Sequence, residues 1–227
     1  MRLGARTWPE VHATVHATAS LLAVPLGSCE QHGPHLPLDT DTRIAVALAD
    51  RLARERADVV VAPALAYGAS GEHADFAGTL SIGLDGLALV VVELVRSADA
   101  FAGVVVVNAH GGNMHALDGA VATLTNEGRR VLAWAPTVDG DAHAGRTETS
   151  MLLELAPSVV QMGRAEAGVE TPLAVLMPAL RAGGVASVAP NGVLGDPTGA
   201  SRDEGRRLLD AMSAALAATV DAWRATW

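Results

Sequence analysis

Short, almost wholly apolar runs alternate along this chain with longer segments in which apolar residues recur at helical spacing. The runs Leu21 to Leu26, Val59 to Ala62, Val104 to Asn108 and Val131 to Ala135 show no wet face, as expected of strands covered on both sides. Between them, Thr42 to Glu55 sets Ile44, Leu48, Ala49 and Leu52 on one helical face, with Asp39 or Asp41 available near its start as a cap. Asp85 to Ala100, Asn113 to Glu127, Thr147 to Ala156 and Ser201 to Trp223 follow the same period. Strands alternating with helices predict an α/β fold, a mostly parallel sheet with helices on both faces, forming one domain over residues 1–227. Arg164 to Gly199 is richer in Gly and Pro, with turns marked by Asn191-Gly192 and Asp196-Pro197, and is expected to be a long loop region. No repeat, heptad or linker asks for a second domain.

Composition then removes several functions. A net charge of −9 argues against a nucleic-acid surface, which needs clustered cations to displace counterions from phosphates. The longest apolar run, around Leu87 to Val92, is cut by Glu93 well short of a bilayer span, so no membrane partner is expected. Leu21 to Leu26 is too short for the core of an export signal, and the lone Cys29 has no internal disulfide partner. A reducing cytoplasm is the expected location.

The candidate chemistry lies in three polar groups that each follow a strand. The first, Gly27-Ser28-Cys29-Glu30-Gln31-His32-Gly33-Pro34-His35-Leu36-Pro37-Leu38-Asp39-Thr40-Asp41, packs acids and imidazoles into a loop stiffened by two prolines. Residues two apart in an extended segment project to the same side, so Glu30 and His32 can reach one site, and Asp41 can turn back to it. The second, Asn108-Ala109-His110-Gly111-Gly112-Asn113, strips side-chain bulk beside His110 and leaves it room to coordinate. The third, His143-Ala144-Gly145-Arg146-Thr147-Glu148-Thr149-Ser150, opens a helix. All three sit at carboxyl ends of strands, the edge where open α/β sheets bind ligands. Glu30, Asp41 and Glu148 could not stay ionised together unpaired, and two divalent ions would neutralise them with a small positive excess. Such a pair, roughly 3.5 to 4 Å apart, is a device for hydrolysing a carbonyl compound, and Asp41 could bridge it. Imidazole and carboxylate donors suit zinc, iron or manganese alike. No phosphate-loop lysine, Gly-x-Ser-x-Gly elbow or organic-cofactor motif is present.

These three strings, with Phe76-Ala77-Gly78-Thr79 between them, resemble the creatininase family over nearly the whole chain. Its members are cytoplasmic α/β metal-dependent amide hydrolases, often hexameric, so the resemblance implies a homo-oligomer. It also implies one metal on His32, Asp41 and His110, the other on Glu30, Asp41 and Glu148, and catalytic roles for His143, as acid/base or substrate-orienting group, and for Glu148. Creatininase itself carries a metal-binding carboxylate two residues after the histidine matching His110, where this chain has Gly112, and the resemblance leaves Glu148 to supply that oxygen. The stretches Pro63 to His73 and Gly192 to Pro197 are similar to one branch, the mycofactocin-system creatininase-like peptidases. That branch implies a small modified peptide as substrate, cut to release its C-terminal Val-Tyr unit. A small cyclic amide or formamide is the alternative substrate, and a non-catalytic, metal-stabilised protein that presents a peptide is a further one.

Other polar residues have plainer readings. His35 and Asp39 either orient the ligands or are ordinary loop residues. His73, near Glu72, could face substrate, whereas His115 reads as a surface residue of a helix. His12 and His16 have the spacing of two ligands on one helix but no accompanying carboxylate motif. Cys29, beside Glu30 in an extended segment, should point away from the site and pack.

Overall fold

The four apolar runs form β1 (Leu21–Leu26), β2 (Val59–Val61), β3 (Gly103–Asn108) and β4 (Val131–Trp134) in a computed structural model that describes residues 1–137 and 140–227. All pairings are parallel, in the order β2-β1-β3-β4. β1, β2 and β3 are buried along their whole length, which explains why they read as apolar runs with no alternation.

The helices are α1 (Trp8–Ala17), α2 (Thr40–Glu55), α3 (Gly83–Arg96), α4 (Met114–Asn126), α5 (Arg146–Leu155), α6 (Leu173–Gly183) and α7 (Arg202–Arg224). Alternate strand residues feed two cores. Leu21, Ala23, Val105 and Val107 pack with α2, α5 and α7, whereas Leu22, Val24, Val104 and Val106 pack with α3 and α4. Helices therefore cover both faces of the sheet, as expected. Among the described residues no helix is long and apolar enough to cross a membrane.

Two helices were not expected. α1 begins with a signal present in the sequence: the Glu10 carboxylate accepts from both the N–H and the hydroxyl of Thr7 at 2.8 Å, and Pro9 lies in the first turn. The expected long loop at Arg164 to Gly199 contains α6, so that reading is corrected. Leu173 to Leu180 is rich in strong helix formers, and the helix continues through Pro178 to end at Gly183. None of its residues is fully buried, and only Leu176 and Leu180 pack, in part, on the small cluster of Val185, Ala189 and Leu194 away from the sheet, which is why helical periodicity against the main core did not betray it.

The sheet order sets the position of the site. From β1 the chain crosses one way to β2 and later the other way to β3, so the loops leaving the carboxyl ends of β1 and β3 diverge and open a crevice. Leu26 pairs with Asn108, ending the two strands level with each other, and Ala109 donates to the Leu26 carbonyl at 3.0 Å. Gly27 then lets the chain pass the start of α2, because a Cβ there would lie 2.3 Å from the Thr42 nitrogen.

Candidate metal centre

At this crevice the three polar strings meet. Asp41, in the first turn of α2, is buried, and its Oδ2 accepts from the Ser28 hydroxyl at 2.7 Å. Its Oδ1 lies 3.1 Å from Nε2 of His32, and its Oδ2 lies 3.2 Å from Nδ1 of His110. His32 donates from Nδ1 to the carbonyl of Glu30 at 3.1 Å, a bond that leaves the Nε2 lone pair facing the carboxylates, as a ligand must. Glu30 Oε2 is 3.2 Å from His110 Nε2, and Glu148 Oε2 is 3.9 Å from His32 Nε2.

The donors fall into two groups that share Asp41: Glu30 with Asp41 and His110, and His32 with Asp41 and Glu148. In each group the ligand atoms lie within 4.8 Å of one another. This division differs from the expected one, which paired His32 with His110 and Glu30 with Glu148. The reason is geometric: Glu30 turns toward the end of β3, while His32 turns toward the start of α5. A third group, Glu30 with His32 and His143, satisfies the same distance.

The residues fit a metal ion on a direct test. Both carboxylate oxygens of Glu30 are buried with no hydrogen-bond partner, although Oε2 lies close to the His110 ring. A buried, unsatisfied carboxylate is costly, and a cation between it and the imidazole satisfies both groups.

Without an ion, the cluster stores protons. Burial disfavours charge on His32, but the carboxylates of Asp41, Glu148 and Glu30 outweigh it and raise its pKa to about 10. His110 is likewise opposed by burial and raised well above its ordinary value by Glu30 and Asp41. Burial, aided by Asp41 and Glu30, lifts Glu148 to about 7. Each of these groups holds a proton in the ion-free fold that the unfolded chain releases at lower pH, so their contribution to stability is complete below the unfolded values. Glu148 loses its share as pH rises from its ordinary value to about 7, and His32 loses its share between its ordinary value and about 10. Ion-free protein should therefore lose thermal stability steadily from neutral pH toward pH 10. Metal-loaded protein should not, because a metal requires the neutral imidazole. Melting scans across that range check this, and parallel curves for the two forms would contradict it.

The neighbours brace these donors. Gln31, buried, holds the His73 ring at 2.9 Å and donates to the Gly192 carbonyl at 3.0 Å, while its own side-chain oxygen accepts from Gly33. Asn113 donates to the Gly27 carbonyl and to Asn108 Oδ1, and accepts from the Ala69 amide, tying the loops after β1, β2 and β3 together. His35 is buried and bonds the Thr149 hydroxyl at 2.8 Å, linking the first string to α5 beside Glu148. Ala144 adopts a left-handed φ of 52°, and its amide donates to Glu148 Oε2 at 2.6 Å. Sequence reasoning had not singled out Gln31, Asn108 or Asn113. Their only signal was a place inside the motifs.

The other candidates fall outside the cluster. Asp39 pairs with Arg43 at 2.7 Å, His12 and His16 are exposed on α1, and Cys29 is half-buried with its Sγ 3.7 Å from the Gly78 carbonyl. His115 is exposed, as expected, but also lines the cavity above the donors. That cavity, about 710 Å³, is bounded by His73, His110 and His143 on the donor side and by α6.

Gly112 leaves no room for a side chain. A Cβ there would lie 2.4 Å from His110 Nε2 and 2.5 Å from both the Ala69 carbonyl and Glu72 Oε1. The Gly112→Ala variant is expected to fold but to bind its metals at least ~10-fold more weakly, the size of effect seen when a ligand's supporting shell is disturbed. Competition with a chromogenic chelator measures this, and unchanged affinity would refute it.

Comparison with known proteins places these features in context. A family model described as creatininase, creatinine amidohydrolase, matches residues 5–220. A mycofactocin precursor peptide peptidase of Mycobacterium ulcerans is 51% identical over 217 residues, covering 91% of this chain and 82% of the relative. A creatinine amidohydrolase of Pseudomonas putida is 30% identical over 244 residues, covering 92% of this chain and 91% of the relative. Among solved structures, one described as manganese creatininase superposes with a TM-score of 0.81 at 26% identity, covering 96% of each chain.

Proposed function

Because the chain belongs to the creatininase family and is a metal-dependent amide hydrolase, we propose that it is a dinuclear peptidase. Its substrate is the mycofactocin precursor peptide, from which it releases the modified C-terminal Val-Tyr unit. The observation that carries this reading is the pair of donor groups sharing Asp41 beneath a cavity far larger than a small cyclic amide needs. Similarity over most of the chain to a relative named for that peptide supports the choice of substrate.

Glu30, Asp41 and His110 would hold one ion and His32, Asp41 and Glu148 the other, with zinc, manganese or iron all compatible with these donors. Such ions polarise a carbonyl and make water a nucleophile at neutral pH. The chain's own residues do the rest. His143 donates from Nε2 to the Gln31 carbonyl at 2.8 Å, which leaves Nδ1 as the acceptor atom. Burial holds this imidazole neutral, with a pKa well below the ordinary value. Nδ1 takes a proton from the attacking water and returns it to the nitrogen of the breaking C–N bond, so the amine leaves neutral. The apolar part of the cavity wall excludes bulk water from that exchange. We further propose a cytoplasmic homo-oligomer, a hexamer as the family resemblance implies.

Incubation of the metal-loaded protein with the modified precursor, followed by mass spectrometry, tests the reading. Release of the two-residue unit, abolished by chelator and by His110→Ala, is the expected result. An intact peptide, with two metals per subunit present in the same sample, would move the assignment to a small amide. The 30% identical creatinine amidohydrolase makes that the second reading.

A further inference from the structure

α6 is an apolar helix with none of its residues buried, and one of its faces lines the catalytic cavity with Leu173, Met177, Leu180 and Arg181. Leu180 also packs in part against Val185, Ala189 and Leu194, whereas Leu173 is exposed and Met177 half-exposed, and apolar surface left uncovered on the wall of a substrate cavity is a surface that a ligand completes. Arg181 and Glu72 are the one guanidinium and the one carboxyl group of that lining. Glu72 lies beside the donors, its Oε1 3.7 Å from His110 Nε2. Arg181 takes part in no ion pair with Glu72 or with any other acid among the described residues, in contrast to Arg146 and Arg202, which pair with Glu204 and Glu154.

Charge counting gives this separation a purpose. Two dications against Glu30, Asp41 and Glu148 leave one positive charge, and Glu72 cancels it. Arg181 then makes the loaded cavity cationic by one unit. A guanidinium exposed to solvent on an otherwise apolar wall matches a carboxylate bidentately, and the match strengthens as substrate displaces water.

We propose that Arg181 is the specificity residue that binds a carboxylate of the peptide substrate, while Leu173, Met177 and Leu180 of the same helix face receive an adjoining apolar side chain. This inference rests on the peptidase reading. The carboxylate is either the α-carboxylate of the peptide or an Asp or Glu side chain near the scissile bond. A merely structural Arg181, stabilising the C-terminal turn of α6 through the helix dipole, would alter melting temperature but not the preference among substrates.

The test uses zinc-loaded full-length wild type, Arg181→Gln and Arg181→Lys. Three peptides of one sequence are compared: the parent acid, its C-terminal carboxamide, and a form with Gln or Asn replacing the acidic side chains. The wild type is expected to prefer the parent over one neutral form by at least ~10-fold in kcat/KM, the scale of a charge-assisted pair, and the neutral form that is disfavoured identifies the carboxylate. In Arg181→Gln that preference should fall to about 1, with the loss carried by KM, and Arg181→Lys should restore part of it. A preference unchanged in Arg181→Gln, an equal loss on all three peptides, or a changed oligomeric state overturns the proposal, the last by making α6 a contact between copies of this chain. Calorimetric binding of succinamate against succinamide to the same proteins separates the two hypotheses if no peptide is cut. Selective loss of succinamate binding in Arg181→Gln would sustain the carboxylate site while the peptidase reading falls. Equal succinamate binding by Arg181→Gln and wild type would overturn the site as well.

Discussion

Asp41→Asn is expected to abolish turnover by about three orders of magnitude and to leave the protein with less than one tightly held ion per subunit. Asp41 is the one side chain common to both donor groups, with one oxygen toward His32 and the other toward His110. An amide keeps the shape but offers one oxygen and one N–H₂, so it cannot place an anionic oxygen in each group. Lewis-acid activation contributes several kcal/mol to a transition state, and each ~1.4 kcal/mol is a factor of ten in rate. Elemental analysis of the gel-filtered variant, alongside turnover, reads both effects. A variant that kept two ions and wild-type turnover would show that Asp41 bridges nothing. Glu148→Gln gives a graded comparison, because Glu148 belongs to one group only and its loss should spare the ion held by Glu30, Asp41 and His110.

The largest effect on stability is expected far from any ligand, at Gly205 in the first turns of α7. A Cβ there would lie 1.9 Å from the Ser150 carbonyl oxygen and 2.4 Å from its carbon, both main-chain atoms of α5 that cannot rotate away. Gly205→Ala must push the two helices apart, and overpacking of this kind costs about 3 kcal/mol, or roughly 10 °C in Tm for a chain of this size. α5 also carries Glu148, so the displaced variant should bind metal more weakly at the group formed by His32, Asp41 and Glu148. Gly119→Ala is the matched control. Gly119 lies within α4 with nothing inside 4 Å of its added Cβ, so the change should stabilise the helix by up to ~1 kcal/mol. Equal melting temperatures for the two alanine variants would disprove the close-contact account.

The strands and most helices were legible because their patterns are local consequences of burial. β1 and β3 lie between two helical layers, so nearly every residue in them is apolar, and α2 sets Ile44, Leu48 and Leu52 inward at helical spacing. The five candidate ligands could be named for a similar reason. Each sits at the carboxyl end of a strand or the start of a helix, in a stretch where acids and imidazoles have no structural use that would explain their density.

Sequence alone therefore determined the α/β architecture and a set of candidate donors, since both follow from neighbours along the chain. Tertiary structure decided which donors stand together. Glu30 and His32 are two residues apart, yet of the two groups that share Asp41 each joins a different one, because His110 arrives from β3 and Glu148 from α5, and only the packing of those elements sets the distances. The same holds for Gln31, whose partners His73, His143 and Gly192 come from three separate loops. It holds for α6 too: its apolar residues divide between the wall of a cavity and a small cluster with Val185, Ala189 and Leu194, and no periodicity along the chain distinguishes such a helix from a segment that packs nowhere.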